Sequence, residues 1–228
     1  MLIDYWYGTK LMKSIIGVDF DNTIICYDAV FHRVALEQKL IPAGIRESKN
    51  SIRNYFCEIG QENKWTELQG HVYGTRMNEA ILYPGVIDFF VTAMKKKWPI
   101  YIISHKTRYP YRGPQYDLHH AAREWLNANR FFESDYIGLK PEQVFFEQSI
   151  HEKIKKIEMM ECSYFIDDLP ELFSHKQFPA QVKKIHFCSY MKTNEREYHE
   201  YNAEPYCAFK SWQDIIHYLL SLECAYDS

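Results

Sequence analysis

The chain lacks any CxxC pair or close Cys/His cluster; Cys26, Cys57, Cys162, Cys188, Cys207 and Cys224 are scattered. Zinc ligands cluster at short, regular spacings, so this pattern argues against a zinc site. At 228 residues the chain is long enough to bury a full core without disulfides. No stretch approaches the roughly 20 apolar residues of a membrane span. Asp4 and Lys10 interrupt the N-terminus and no apolar core follows, so a secretory signal is not expected. Positive charge is not in surplus either: the formal net charge is −3. Nothing global draws the chain to nucleic acid or acidic lipid, and an anionic ligand must be attracted by a local basic patch. Repeats and low-complexity segments are absent. These exclusions predict a cytoplasmic protein with reduced thiols and no membrane contact; the oligomeric state is not readable.

What the chain does have is acid at the ends of apolar runs. Ile15-Ile16-Gly17-Val18 leads directly into Asp19-Phe20-Asp21-Asn22-Thr23. In an extended segment, residues two apart face the same side, so Asp19 and Asp21 would converge. Tyr164-Phe165-Ile166 likewise runs into Asp167-Asp168. Buried carboxylates aimed at one point are costly unless a cation or a reacting group sits there. Four acids at two strand ends suggest a magnesium site for phosphate chemistry, since hard oxygen ligands suit that ion. The plainer reading of Asp19 and Asp21 is a strand-end turn, and that of Asp167-Asp168 before Leu-Pro is a helix cap.

Between these acids, strands alternate with helices, which predicts a parallel sheet covered on both faces. Strands are expected at Ile15–Phe20, Ile100–Ile103, Tyr164–Ile166 and Val182–Phe187. Helices are expected at Ala29–Leu40, Ser48–Ile59, Val86–Lys97, Asp117–Asn127 and Ser211–Leu222, with a Lys-rich helix capped by Ser149. Tyr83-Pro84-Gly85 reads as a turn. Trp65 to Gly74, with two glycines, reads as a shaped loop facing the site. A polar loop rich in Glu and Tyr follows Phe187. In such sheets ligands bind at the carboxyl ends of the strands, where Asp19, Ser104 and Asp167-Asp168 all fall.

Asp19-Phe20-Asp21-Asn22-Thr23 resembles the DxDxT motif of the haloacid dehalogenase-like (HAD) superfamily. Its other marks follow in order: Ser104 at a strand end, a lysine near Lys153, and Asp167-Asp168 after a strand. Tyr83-Pro84-Gly85-Val86 is similar to the turn this superfamily often places before the helix leading to the second motif. The resemblance spans about Ser14 to Phe187, except the insert. It implies a Rossmann-like α/β core (residues 12–27 and 83–228) with a small helical type-1 cap (28–82). Residues 1–11 would be an extension or an edge strand. It also implies a magnesium-dependent phosphatase working through an aspartyl-phosphate. Asp19 would be the nucleophile and Asp21 the general acid and base. Ser104 would donate to a phosphoryl oxygen, and Asp19, the Asp21 carbonyl and Asp168 would hold magnesium, with Asp167 mainly behind them. One of Lys153, Lys155 and Lys156 would neutralise the charge; Lys153 is preferred because it is closest to the Ser149 cap.

The insert carries Arg46, Lys49, Arg53 and Arg76 among Tyr55, Trp65 and Tyr73. Arginine forks bind phosphate, and aromatic rings stack on a base or sugar. Arg46, Arg53, Trp65 and Arg76, with Thr23 and His105 near the acids, are the candidate substrate contacts. His119 and His120 read as surface or packing residues. The substrate expected is a small phosphorylated metabolite. A phospho-receiver module uses similar residues, but the insert and the DxDxT spacing count against it. A phosphatase of nucleotide or nucleic-acid ends is the other alternative, although no basic stripe runs along the chain.

Overall fold

The computed structural model describes residues 14–189 and 206–224. The expected extension at 1–11 and most of the polar loop after Phe187 lie outside the described residues. Six strands form one parallel sheet in the order β5-β4-β1-β6-β7-β8. They are β1 (Ile16–Val18), β4 (Ile100–His105), β5 (Val144–Glu147), β6 (Tyr164–Asp167), β7 (Lys183–Phe187) and β8 (Cys207–Phe209). A separate two-stranded ribbon pairs β2 (Ile25–Cys26) with β3 (Ile81–Leu82), antiparallel.

The central strand is β1, and all three of its residues are buried. Its alternation sorts the core into two layers. Ile16 and Val18 belong to the cluster that includes Phe89, Trp125 and Trp212. Gly17 faces the opposite layer, where Phe165, Ile154 and Phe173 gather. The first layer is built by α4 (Val86–Lys96), α5 (Leu118–Ala128) and α8 (Trp212–Cys224). The second is built by α6 (Ile150–Met159) and the short α7 (Pro170–Phe173). Among the described residues, no helix is long and apolar enough to cross a membrane.

Strand register decides where the acids go. Val18 pairs with Ile102 on one side and Ile166 on the other. Asp19, Ser104 and Asp167 therefore come off three neighbouring strands at the same edge. The chain turns to opposite sides of β1 to reach β4 and β6, which makes this edge the topological switch point.

Asn22 takes a left-handed φ of 58°, which asparagine tolerates better than most residues. That turn throws the chain out of the sheet and into β2. The two strands of the ribbon clasp the ends of an insert made of α1 (Asp28–Glu37), α2 (Lys49–Glu58) and α3 (Glu62–Thr75). Ser48 caps α2 by accepting from the Ser51 amide at 3.3 Å. The insert has an aromatic core in which Trp65 lies 5.1 Å from Phe31 and 6.4 Å from Phe56, centroid to centroid.

Trp65 to Gly74 is not a loop; it lies within α3. Its glycines answer to packing. A Cβ at Gly70 would come within 2.7 Å of Pro110, and one at Gly74 within 2.4 Å of Tyr116. Glycine here lets α3 approach the loop that follows β4. Three further elements were not foreseen: β5, β8 and the ribbon. The sheet edges and two-residue pairs carry too few residues for a readable period.

Candidate active site

Asp19 leaves β1 with its amide bonded to the Ile166 carbonyl at 2.9 Å, which fixes its backbone against β6. Its side chain is buried. Oδ1 accepts from Ser104 Oγ at 2.9 Å and from Lys153 Nζ at 2.6 Å. Among the described residues, Oδ2 has only the longer contact with Thr23 Oγ1, at 3.4 Å. The Thr23 hydroxyl lies equally far from Asp168 Oδ1. Lys153 also donates to Asp167 Oδ2 at 2.6 Å, so one ammonium bridges two carboxylates.

The position of Lys153 follows from the cap of its helix. Ser149 accepts from the Glu152 amide at 3.2 Å, and Lys153 then falls on the buried face with Ile154 and Ile157. Lys155 is exposed, and Lys156 pairs with Glu147 at 3.6 Å. Of the three candidate lysines, Lys153 is the one that reaches the acids. Asp167 Oδ1 accepts from the Leu169 amide at 2.9 Å, which holds the acidic pair in place. Asp19, Asp167 and Asp168 each offer an oxygen within 4.8 Å of the others.

The electrostatics show a shortage of positive charge around these acids. Burial alone would lower the Lys153 pKa, but Asp167 and Asp19 overcome it and keep the ammonium charged. Its partners do not gain in return. Burial pushes Asp167 up to about 7 and raises Asp19 as well, despite Lys153. The two directions are compatible because one ammonium serves two buried carboxylates that also repel Asp168. Hard oxygens in excess of local cation are what a magnesium-like divalent ion binds, so the donor set fits one.

Asp21 stands apart from this group. Its carboxylate accepts from Lys106 Nζ at 2.7 and 3.0 Å and from the Tyr27 hydroxyl at 2.6 Å. Burial opposes ionisation here too, but Lys106 outweighs it, and the pKa falls below the usual carboxylate value. Asp19 and Asp21 are presented at this edge by a turn, not by alternation along the expected strand Ile15–Phe20, and remain close enough for Asp21 to act on Asp19. Strand β1 ends at Val18, and the turn at Asn22 gives the two carboxylates separate partners. Burial, not mutual crowding, raises Asp19, with Asp21 among the smaller causes.

The other candidate contacts are dispersed. Thr23 is fully buried beside Asp19. His105 is half-buried, with its pKa lowered by burial and then by the charge of Lys153. Arg46 and Arg53 are exposed on the insert. Trp65 is spent in the insert's core, and Arg76 is bonded to Glu37 and Glu79. The acids instead meet residues not chosen as contacts: Lys106, Tyr27 and, at longer range, Lys49. Lys106 had a readable signal, because it lies two residues beyond Ser104 on the same strand end. His119 supports it by bonding the Lys106 carbonyl at 2.7 Å.

No family model matches the chain, and no curated protein does. Solved structures do. A haloacid dehalogenase-like hydrolase from Streptococcus pneumoniae superposes with a TM-score of 0.56 at 14% identity, over 90% of this chain and 98% of that one. One from Bacteroides fragilis gives 0.54 at 17%, over 88% and 98%. A HAD family hydrolase from Deinococcus radiodurans, solved with bound phosphate and sodium, gives 0.56 at 9%, over 91% and 95%. The chain has the HAD fold. Identities this low speak to the fold alone, and the HAD fold is reached here with the acids at its switch point.

Proposed function

We propose that the protein is a metal-dependent phosphohydrolase of the HAD type, acting on a small phosphorylated substrate. The observation that carries this reading is the Asp19 carboxylate. One oxygen is held by Ser104 and Lys153, and the other is left with a single long contact. A nucleophile is oriented in this way when one oxygen is fixed and its partner is left to react.

Asp19 Oδ2 attacks phosphorus, the bond to the leaving oxygen breaks, and an aspartyl-phosphate remains. Lys153 donates its third proton to the charge that builds on the phosphoryl oxygens, and Ser104 joins it by turning its hydroxyl from Asp19 Oδ1. Asp21, held ionised by Lys106, is suited to take the proton of the water that attacks phosphorus in the second half. That attack frees Asp19 and inorganic phosphate. A basic alkoxide leaving group requires Asp21 to carry a proton first, whereas an aryloxide does not. Asp19, Asp168 and the Asp21 carbonyl would hold a divalent ion, which supplies positive charge to the phosphoryl group and its nucleophile. The insert at 28–82 serves as a cap over this edge.

Release of phosphate from nitrophenyl phosphate, with and without magnesium, tests the proposal. Asp19→Asn should abolish turnover, and full activity in that variant would reject the nucleophile. Magnesium should also raise the melting temperature, because it binds only the assembled acids. An unchanged melting temperature at millimolar magnesium would remove the metal from the reading.

A further inference from the structure

The leaving-group side of the site carries an ammonium that no carboxylate among the described residues pairs with directly. Lys49 is the first residue of α2, and its backbone amide is anchored on Asp28 Oδ1 at 2.8 Å. Its ammonium lies 5.9 Å from the centre of the Phe31 ring and 5.5 Å from that of Tyr73. Among the described residues it makes no hydrogen bond and no ion pair. The charges that act on it are Asp21, Asp168, Asp28 and Asp19, all beyond pairing distance. Lys106 rests on the same Tyr73 ring, 4.5 Å from its centre, but is already committed to Asp21. Two ammonium groups thus bracket one aromatic ring, with a single carboxylate in pairing reach of either.

An ammonium partly withdrawn from water, with no protein acceptor for its donors among the described residues, is costly to keep. Ring faces recover part of that cost but accept no strong hydrogen bond. Burial accordingly depresses the Lys49 pKa in spite of the four acids. What complements such a group is an anion with acceptor oxygens. The transferred phosphoryl group does not need it, since Ser104 and Lys153 already serve the Asp19 side. Lys49 lies instead on the Asp21 side, where the leaving alcohol would sit.

We propose that Lys49 is a specificity-determining residue that takes a second anionic group, carried on the alcohol portion of the phosphate monoester. The substrate class is thereby narrowed to phosphorylated acids and bisphosphates rather than phosphates of neutral alcohols. This deepens the phosphohydrolase reading and rests on it.

The test is competition. Phosphoglycerate and glycerol phosphate, which differ by one carboxylate, are titrated as inhibitors of nitrophenyl phosphate hydrolysis. The wild type should bind phosphoglycerate more tightly by about tenfold or more, because an unpaired polar group discriminates against the analogue that lacks its partner. Lys49→Met should bring the ratio close to one, and Lys49→Arg should restore most of it. A wild-type ratio near one overturns the proposal, as does a ratio that survives Lys49→Met. Circular dichroism and melting temperature verify that each variant is folded. If the wild type hydrolyses no nitrophenyl phosphate, the phosphohydrolase reading is what fails. Lys49 is then judged by thermal shift: pyrophosphate must stabilise the wild type more than phosphate does, and Lys49→Met must erase that difference. Equal shifts overturn it.

Discussion

Replacing Lys153 with methionine removes the one cation among the described residues that touches both Asp19 and Asp167. The lysine side chain is 2% exposed and its two bonds are each 2.6 Å long, so water cannot take its place without rearrangement. Taking one partner from a buried ion pair costs about 3–5 kcal/mol, because the remaining charge is left uncompensated. For a domain of this size that corresponds to a fall in melting temperature of about 6–20 °C. The loss should depend on pH. Asp167 already titrates at about 7, above its ordinary value of 3.8, and the variant moves it higher still. Between those two values the folded protein binds a proton that the unfolded chain does not. Stability therefore falls as pH rises across that window, by about 1.4 kcal/mol per pH unit for one proton. The wild type stops losing stability near its folded value, whereas the variant continues beyond it. Urea unfolding in chelator, near pH 6 and near pH 8, should therefore show a gap between the two proteins that widens at the higher pH. A gap below about 1 kcal/mol, equal at both pH values, would refute the claim that Lys153 neutralises buried charge.

Gly17→Ala places a Cβ 2.5 Å from Phe165 Cδ2 and 3.0 Å from Cys162 Sγ in the central strand. Overpacking of this kind costs roughly 1–3 kcal/mol; an unfolding midpoint equal to that of the wild type would show that the layer can yield. His105 gives a pH signature of opposite sign. Its folded pKa lies below 6.5, so the unfolded chain binds the proton more readily, and its contribution to stability should decline as pH falls from 6.5 toward the folded value, against the slope set by Asp167. In His105→Gln, urea midpoints should therefore rise more steeply as pH falls below 6.5, and an unaltered slope would refute the His105 contribution.

The sheet was legible because β1, β4 and β6 are apolar runs that end in reactive residues, and buried parallel strands read in that way. The site's sheet-borne half was legible for the same reason: Asp19, Ser104 and the pair at 167–168 all sit at strand ends. Lys153 could be singled out through the Ser149 cap. The insert was less legible. Its charged residues are spaced much like any solvated helix face, and nothing local distinguishes Lys49, whose ammonium meets Tyr73, from Arg76, which meets Glu37 and Glu79. Only the fold of the insert tells them apart. Gly70 and Gly74 misled for a related reason. Glycine in a helix and glycine in a loop look alike until the neighbour that excludes a Cβ is known, and here that neighbour is some forty residues away, at Pro110 and Tyr116.

Asp19 and Asp21 illustrate how far environment can separate two identical groups. They are two residues apart, yet burial raises one while Lys106 and Tyr27 lower the other. The difference arises from the turn at Asn22, which sends Asp21 toward the base of the insert and leaves Asp19 among the sheet's acids. Tyr27 contributes because it immediately precedes α1, so the hydroxyl that fixes Asp21 belongs to the segment that also starts the cap. Its own proton is held firmly, since burial and the Asp21 charge raise its pKa far above the ordinary phenol value. It can therefore orient Asp21 without deprotonating. The bonds from Ser104 and Lys153 to Asp19 are made by the core, and the Tyr27 bond to Asp21 is made where the chain passes into the insert. The geometry thus divides the labour. Asp19 is held by core side chains alone, whereas Asp21 is held from the core by Lys106 and from the foot of the insert by Tyr27.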